Sequence, residues 1–214
     1  ESGMTVNELV TEKTAKIGEK IELAHFEAIC AEAVYAYIHP GNRMASIVGM
    51  NKAGFDEVGH NVAMQVVAMR PVALDEKSVP QSVIDSELNV YREKTKEELV
   101  GKAIDAALKK AGINPAHVDS DDHINSNMAK GWITEEQAKQ AREIKEKVGA
   151  EAAASLPEGK IEGIAKGRLN KFFKESCLLN QVSLVADPKT VAEYIQAADK
   201  EATVVNFVRI KLGE

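Results

Sequence analysis

The sequence predicts an α+β fold: a small three-stranded antiparallel sheet backed by helices, with an inserted antiparallel helical coiled-coil arm. Three observations predict it. Apolar residues alternate at period two in 21–32, 43–50 and 203–213, near both ends of the chain, and recur at helical spacing between these stretches. The middle of the chain holds long, Ala-rich, charged helical patterns that cannot each bury much surface in a globular core. Strands from both ends join one sheet only if the stretch between them leaves and returns. The core is therefore expected at 1–80 and 179–214, and the arm, with a dimerisation role, at 81–178.

Taken in order, Val6, Leu9, Val10 and Ile17 mark a first short helix that stops at Gly18. IELAHFEAICAE, 21–32, alternates best at period two and reads as the first strand, with a slip in phase near Ala24. HPGN, 39–42, is hairpin chemistry, because Pro fixes φ while Gly and Asn tolerate positive φ. RMASIVGMN, 43–51, returns as the second strand. A helix then runs from about Asp56 through Val58, Val62, Val66 and Val67 to Met69. It ends at Arg70-Pro71, since the residue before Pro is pushed out of the α region.

From Ser82 to Ala111 the apolar spacing gives one helix of roughly 40 Å at 1.5 Å per residue, closed by Gly112. A second long helix begins at the capping box Thr134-Glu-Glu-Gln137 and runs through Ala154 before Pro157 breaks it. EGIAKGRLNKFFKESCLLNQ, 162–181, continues as a further helix. At 100° per residue Ile161, Ile164, Ala165, Leu169, Phe172 and Phe173 share one apolar face, so both Phe residues read as packing. Arg168 falls on the edge of that face, one turn before Phe172, and its guanidinium requires a carboxylate or carbonyl partner. Asp187-Pro-Lys-Thr opens a short helix carrying Val191, Tyr194, Ile195 and Ala198, and TVVNFVRIKLG, 203–213, is the third strand.

Charge and composition exclude several functions. A net charge of −6 argues against general affinity for phosphate backbones, which takes a clustered excess of Lys and Arg. Between Pro157 and Ser176 five basic residues stand against three acidic ones, too weak a balance for a phosphate-binding or membrane-surface helix. No apolar run approaches the ~20 residues of a membrane span, and a cytoplasmic protein is expected. Cys30 and Cys177 lie far apart in apolar surroundings, which suits buried thiols better than a disulfide. There is no Walker-type phosphate loop, and the five His residues form no HxxxH pair. HVDSDDHINSN, 117–127, gathers oxygen and imidazole side chains but lacks the Gly and closing Glu of a calcium loop, so a solvated tip loop is expected rather than a metal site. The chain opens on Glu1-Ser2-Gly3 without an initiator Met, which suggests a fragment or a processed product.

The stretch at 162–181 resembles the signature of the translation elongation factor Ts family: a helix of the form E-G-R-x-x-K-F, then an acidic residue and a CLL-type or SL-type stretch ending in Gln. Five further segments agree in the same order: AKIGEKIELAHFEAI at 15–29, YIHPGNRMASIVGM at 37–50, HNVAMQVVAMRP at 60–71, DPKTVAEYI at 187–195 and FVRIKLGE at 207–214. They cover most of the chain outside the arm. The resemblance implies a guanine-nucleotide exchange factor that binds elongation factor Tu and promotes GDP release, with no catalytic residue and no cofactor. It places His39, Pro40, Gly41 and Arg43 in the family's HPGxR hairpin, as contacts to the partner or, for Pro40 and Gly41, as residues that only shape the turn.

Departures qualify the match. Asn42 replaces a frequent Gly, and Met44-Ala45-Ser46 replaces a more usual apolar-Gly-Val. The family's small N-terminal helical module and the Thr-Asp-Phe segment of its first core half do not appear in this sequence. The chain thus corresponds to the second core half plus the arm, and reduced exchange activity is expected. Edge strands and the Ala-rich helices both offer surfaces for a homodimer. A structural or oligomerising module without exchange activity is the alternative.

Overall fold

A computed structural model describes residues 3–213; Glu1 and Ser2, where the chain-start expectation falls, and Glu214, the last residue of FVRIKLGE, lie outside them. The chain forms two compact units. One runs up to Ser78 and resumes at Glu175; the other is Val79–Lys174.

The first unit holds the sheet. Its strands β1 (Ala33–Ile38), β2 (Met44–Met50) and β3 (Val204–Lys211) are antiparallel in the order β1-β2-β3, with Val34 opposite Gly49 and Ile47 opposite Val208. One face carries Tyr35, Tyr37, Val48, Met50 and Phe207. Val62, Ala63 and Val66 of α2 (Asp56–Met69) and Val191 and Ile195 of α7 (Val191–Ala198) pack against it as an apolar core. The phenolic oxygen of Tyr35 accepts from the Phe55 N–H at 3.0 Å, and Thr190 opens α7 with a capping box to Glu193. α1 (Val6–Ile17) begins on a Thr5–Glu8 capping box and ends at Gly18 in the left-handed region.

The first strand expected from sequence, 21–32, is not a strand. Its period-two pattern is real, but among the described residues no strand pairs with its backbone, and Leu23 and Phe26 are exposed. A hairpin demands that the strand directly abutting the turn be the one that pairs, and that is β1. The 21–32 stretch crosses the sheet's other face instead. There Ile29 and Ala31 close on Gly49, where an added Cβ would come within 2.9 and 2.8 Å of their side chains. The same face presents Val34 and Ile38 to solvent.

The second unit is all helical: α3 (Gln81–Lys110), α4 (Asp121–Ala129), α5 (Glu135–Ala154) and most of α6 (Glu158–Ser176). Ile104 lies against Gly149, while Leu108 clusters with Ala138 and Ala141, so α3 and α5 pack antiparallel, compatible with the expected helical arm. The Thr134–Gln137 capping box forms as read from sequence. The expected loop at 117–127 is a correction: most of it is α4, capped by Ser120, with Ile124 fully buried and the Asn127 amide donating to His117 O at 2.8 Å. Ser120-Asp-Asp is itself a helix start, with acidic side chains in the first turn, and Val118 and Ile124 supply the apolar contact that anchors it.

Candidate partner-binding site

Local chemistry shapes the hairpin at 39–43. Pro40 brings its fixed φ, Gly41 adopts φ 90°, and the Asn42 N–H donates to His39 O at 3.0 Å, which is a type II turn. Asn42 follows at φ 54°, so the substitution for Gly sits in the one region where Asn is tolerated. The His39 N–H to Met44 O bond, 2.9 Å, closes the loop, and Leu212 N–H donates to Arg43 O at the same distance.

The predicted residues are not equivalent. Pro40, Gly41 and Arg43 are exposed at the tip. His39 is half-buried, its Nδ1 3.1 Å from Tyr37 Oη, and the Tyr37 ring also meets His60 edge-on with centroids 5.5 Å apart. The imidazole is therefore a wall rather than a free finger. It helps to line a groove of about 340 Å³ with Tyr37, Met44, Met64, Val67, Arg70 and Leu184.

Sequence reasoning missed most of that groove. Met64, Val67 and Ala68 fall at i, i+3, i+4 on α2, a second apolar stripe beside the core-facing one, and that spacing was the available signal. Arg70 could not be found this way. It ends α2 in a left-handed conformation, φ 49°, its N–H bonded to Val66 O, and its exposed guanidinium stands at the groove. Leu184 in the groove's lining is exposed, as are Met69 and Val72 on either side of Arg70-Pro71 in the chain and Val182 and Val185 on either side of Leu184. Among the described residues no carboxylate pairs with Arg43 or Arg70. An apolar groove with Arg70 in its lining, next to a hairpin that carries the exposed Arg43, suits a protein surface that offers an apolar side chain and a carboxylate.

Arg168, Phe172 and Phe173 belong to the helical unit. Arg168 Nη2 lies 2.7 Å from both oxygens of Glu98 on α3, and six residues earlier on both helices Arg92 makes two bonds to Glu162, at 2.8 and 3.1 Å. Phe173 is buried and Phe172 half-buried, with ring centroids 5.8 Å apart. Cys177 is buried as expected, and burial, reinforced by the Glu76 and Asp75 carboxylates, pushes its thiol up to about 11. Cys30 is not: it is exposed, because the stretch expected to bury it as a strand is unpaired. Among the described residues no three His, Cys, Asp or Glu side chains come together as a metal site, and no helix is long and apolar enough to cross a membrane.

The sequence model of the family described as Elongation factor TS matches residues 1–107 and 100–214. The chain belongs to the elongation factor Ts family. Curated elongation factor Ts proteins from Phocaeicola vulgatus and Bacteroides fragilis are each 50% identical to it over 209 residues, which is 97% of this chain and 63% of theirs. That of Amoebophilus asiaticus is 33% identical over 214 residues, 57% of its own length. The chain thus spans less than two thirds of these elongation factor Ts proteins, and what it contains is the sheet unit with the hairpin and the helical unit.

Proposed function

We propose that this chain binds elongation factor Tu through the 39–43 hairpin and the adjoining groove, and acts as a guanine-nucleotide exchange factor of reduced activity. The observation that carries the reading is the groove, with its apolar lining, exposed Leu184 and the cation Arg70, beside the hairpin that carries Arg43 and matches the family's HPGxR motif. Exchange requires no covalent step. A factor that binds the nucleotide-free partner better than the GDP-bound one lowers GDP affinity by the same ratio; a hundredfold effect takes about 2.7 kcal/mol of differential binding. No catalytic residue or cofactor enters this scheme, and the contacts are to protein, without a membrane or direct nucleic-acid partner. The work takes place in the cytoplasm.

Reduced activity follows from the residues present. The sequence holds no Thr-Asp-Phe segment, the element that the family resemblance assigns to disturbing the nucleotide site. Release of a fluorescent GDP from elongation factor Tu, with and without the chain, is the test. Binding with release only slightly above the spontaneous rate is expected. Rates near those of a full-length family member would overturn the reduced activity, and absence of any binding would overturn the whole reading.

One observation favours a second reading, an oligomerising module without exchange activity. The sheet face that presents Val34 and Ile38 is apolar and only partly covered, a surface that a second copy would bury in a homodimer. A pull-down with elongation factor Tu separates the two, since the module predicts no nucleotide-sensitive capture.

A further inference from the structure

The core of the sheet unit contains two amides where its surroundings are Val, Ala and Leu. Gln65 on α2 is 2% exposed and Gln181 1%. Burying an amide is unfavourable unless its hydrogen bonds are made, and here they are made in full. Gln65 Nε2 donates to Gln181 Oε1 at 3.2 Å and to Val182 O at 3.0 Å, while its Oε1 accepts the Leu184 N–H at 2.9 Å. Gln181 Nε2 donates to Glu175 O at 2.8 Å and to Met69 O at 3.4 Å. Both donors of each amide are spent, and both carbonyl oxygens are occupied.

The bonds converge on one segment. From Gln181 to Leu184 the chain alternates: Gln181 and Ser183 are buried at 1% and 3%, Val182 and Leu184 exposed at 51% each. Val185 is exposed as well, at 47%. Three aliphatic side chains held out in water by a short loop is the reverse of what apolar burial favours, so something must fix the backbone. Gln65 bonds the carbonyl before Ser183 and the N–H after it, which grips the loop on both sides of its inward residue. The Ser183 N–H to Lys189 O bond, 2.8 Å, completes the hold.

We infer that Gln65 and Gln181 are positioning residues for partner recognition: their buried amide pair displays Val182, Leu184 and Val185 as a rigid apolar ridge, with Leu184 forming one wall of the hairpin groove. The inference rests on the groove being the partner site. A leucine or methionine would fill the same volume, so packing alone does not call for Gln at either place. Gln65 also couples the ridge to α2, which supplies Met64 and Val67 to the same groove and ends on Arg70 there.

The test uses Gln65→Met, Gln181→Met and the double variant in the whole chain, read by affinity for nucleotide-free elongation factor Tu and by hydrogen exchange of the Leu184 amide. Ile195→Val, a buried residue that takes part in none of these bonds, serves as the control. Each single variant is expected to weaken binding about tenfold, and the double variant by clearly less than the product, since both cut one network. The Leu184 amide exchanges faster in all three. Ile195→Val, compared at equal loss of melting temperature, binds like the parent chain. Unchanged Leu184 protection in Gln65→Met, or a binding loss no larger than the control's, overturns the positioning role. Failure of the parent chain itself to bind overturns the partner reading and the recognition role with it, while the exchange measurement still reports whether the amides hold the loop.

Discussion

Arg168 and Arg92 show how little of a charge's role its sequence position reveals. The apolar face of α6 required that Arg168 find a partner; that the partner is Glu98, a residue 70 positions earlier, is a fact of packing. The hydrogen bonds from Arg168 and Arg92 hold the Glu98 and Glu162 carboxyls below the ordinary glutamate value of 4.5. A carboxylate whose value is lowered in the fold contributes stability above its unfolded value and loses it as pH falls. The helical melting temperature is therefore expected to be flat from neutral pH down to about 5 and to decline below about 4.5. Arg168→Met removes one pair and should make that decline shallower, as circular dichroism melts over pH 3–7 would show; identical slopes would refute the coupling. Both pairs are partly solvent-exposed, so the difference is small and shrinks further in 1 M salt. The groove repeats the lesson. His39 and Arg43 were legible from their motif, but Arg70 was not, because its role depends on a left-handed turn that brings it beside Met44 and Leu184.

Strands β2 and β3 and most of the helices were legible; the first strand and α4 were not. α3 and α5 lie within a residue of where caps, Gly and Pro placed them, since those signals are local and act on the backbone they mark. The helix expected over 162–181, by contrast, is α6, Glu158–Ser176, and 177–181 turns away to pack Cys177, Leu178 and Gln181 into the sheet unit. The first strand failed because period-two alternation describes a half-buried extended segment, and 21–32 is extended without a pairing neighbour. α4 failed for the opposite reason: its polar sequence hid two buried anchors, Ile124 and Asn127, that matter only once Val118, Ile113 and Leu108 surround them. This small core is separate from that of the sheet unit, so the helical unit is expected to unfold by itself. Leu108→Ala, at a site 1% exposed, is expected to cost about 2–5 kcal/mol in that unit. Hydrogen exchange should then quicken in α5 while α2, whose core is separate, keeps its protection. Equal acceleration in both would mean that the two units unfold as one.

At the scale of the whole molecule, the sheet's second face is only partly covered. Val34 and Ile38 are exposed at 44% and 64%, and the 21–32 stretch spans the rest incompletely. A homodimer through this face would bury them; on that reading light scattering is expected to give twice the 23.2 kDa chain mass, falling to one chain on dilution. A single-chain mass that persists at high concentration would refute it. The sequence by itself determined the α+β class, the long helices with their caps, the hairpin turn and membership of the elongation factor Ts family. All of these rest on local backbone preferences or on residue identity in order. Only the tertiary structure decided which extended segment joins the sheet, that 121–129 is a helix, which glutamates answer the arginines, and that Gln65 and Gln181 meet. Each of these depends on groups far apart in the chain, and a linear pattern carries no record of the distance between them once folded.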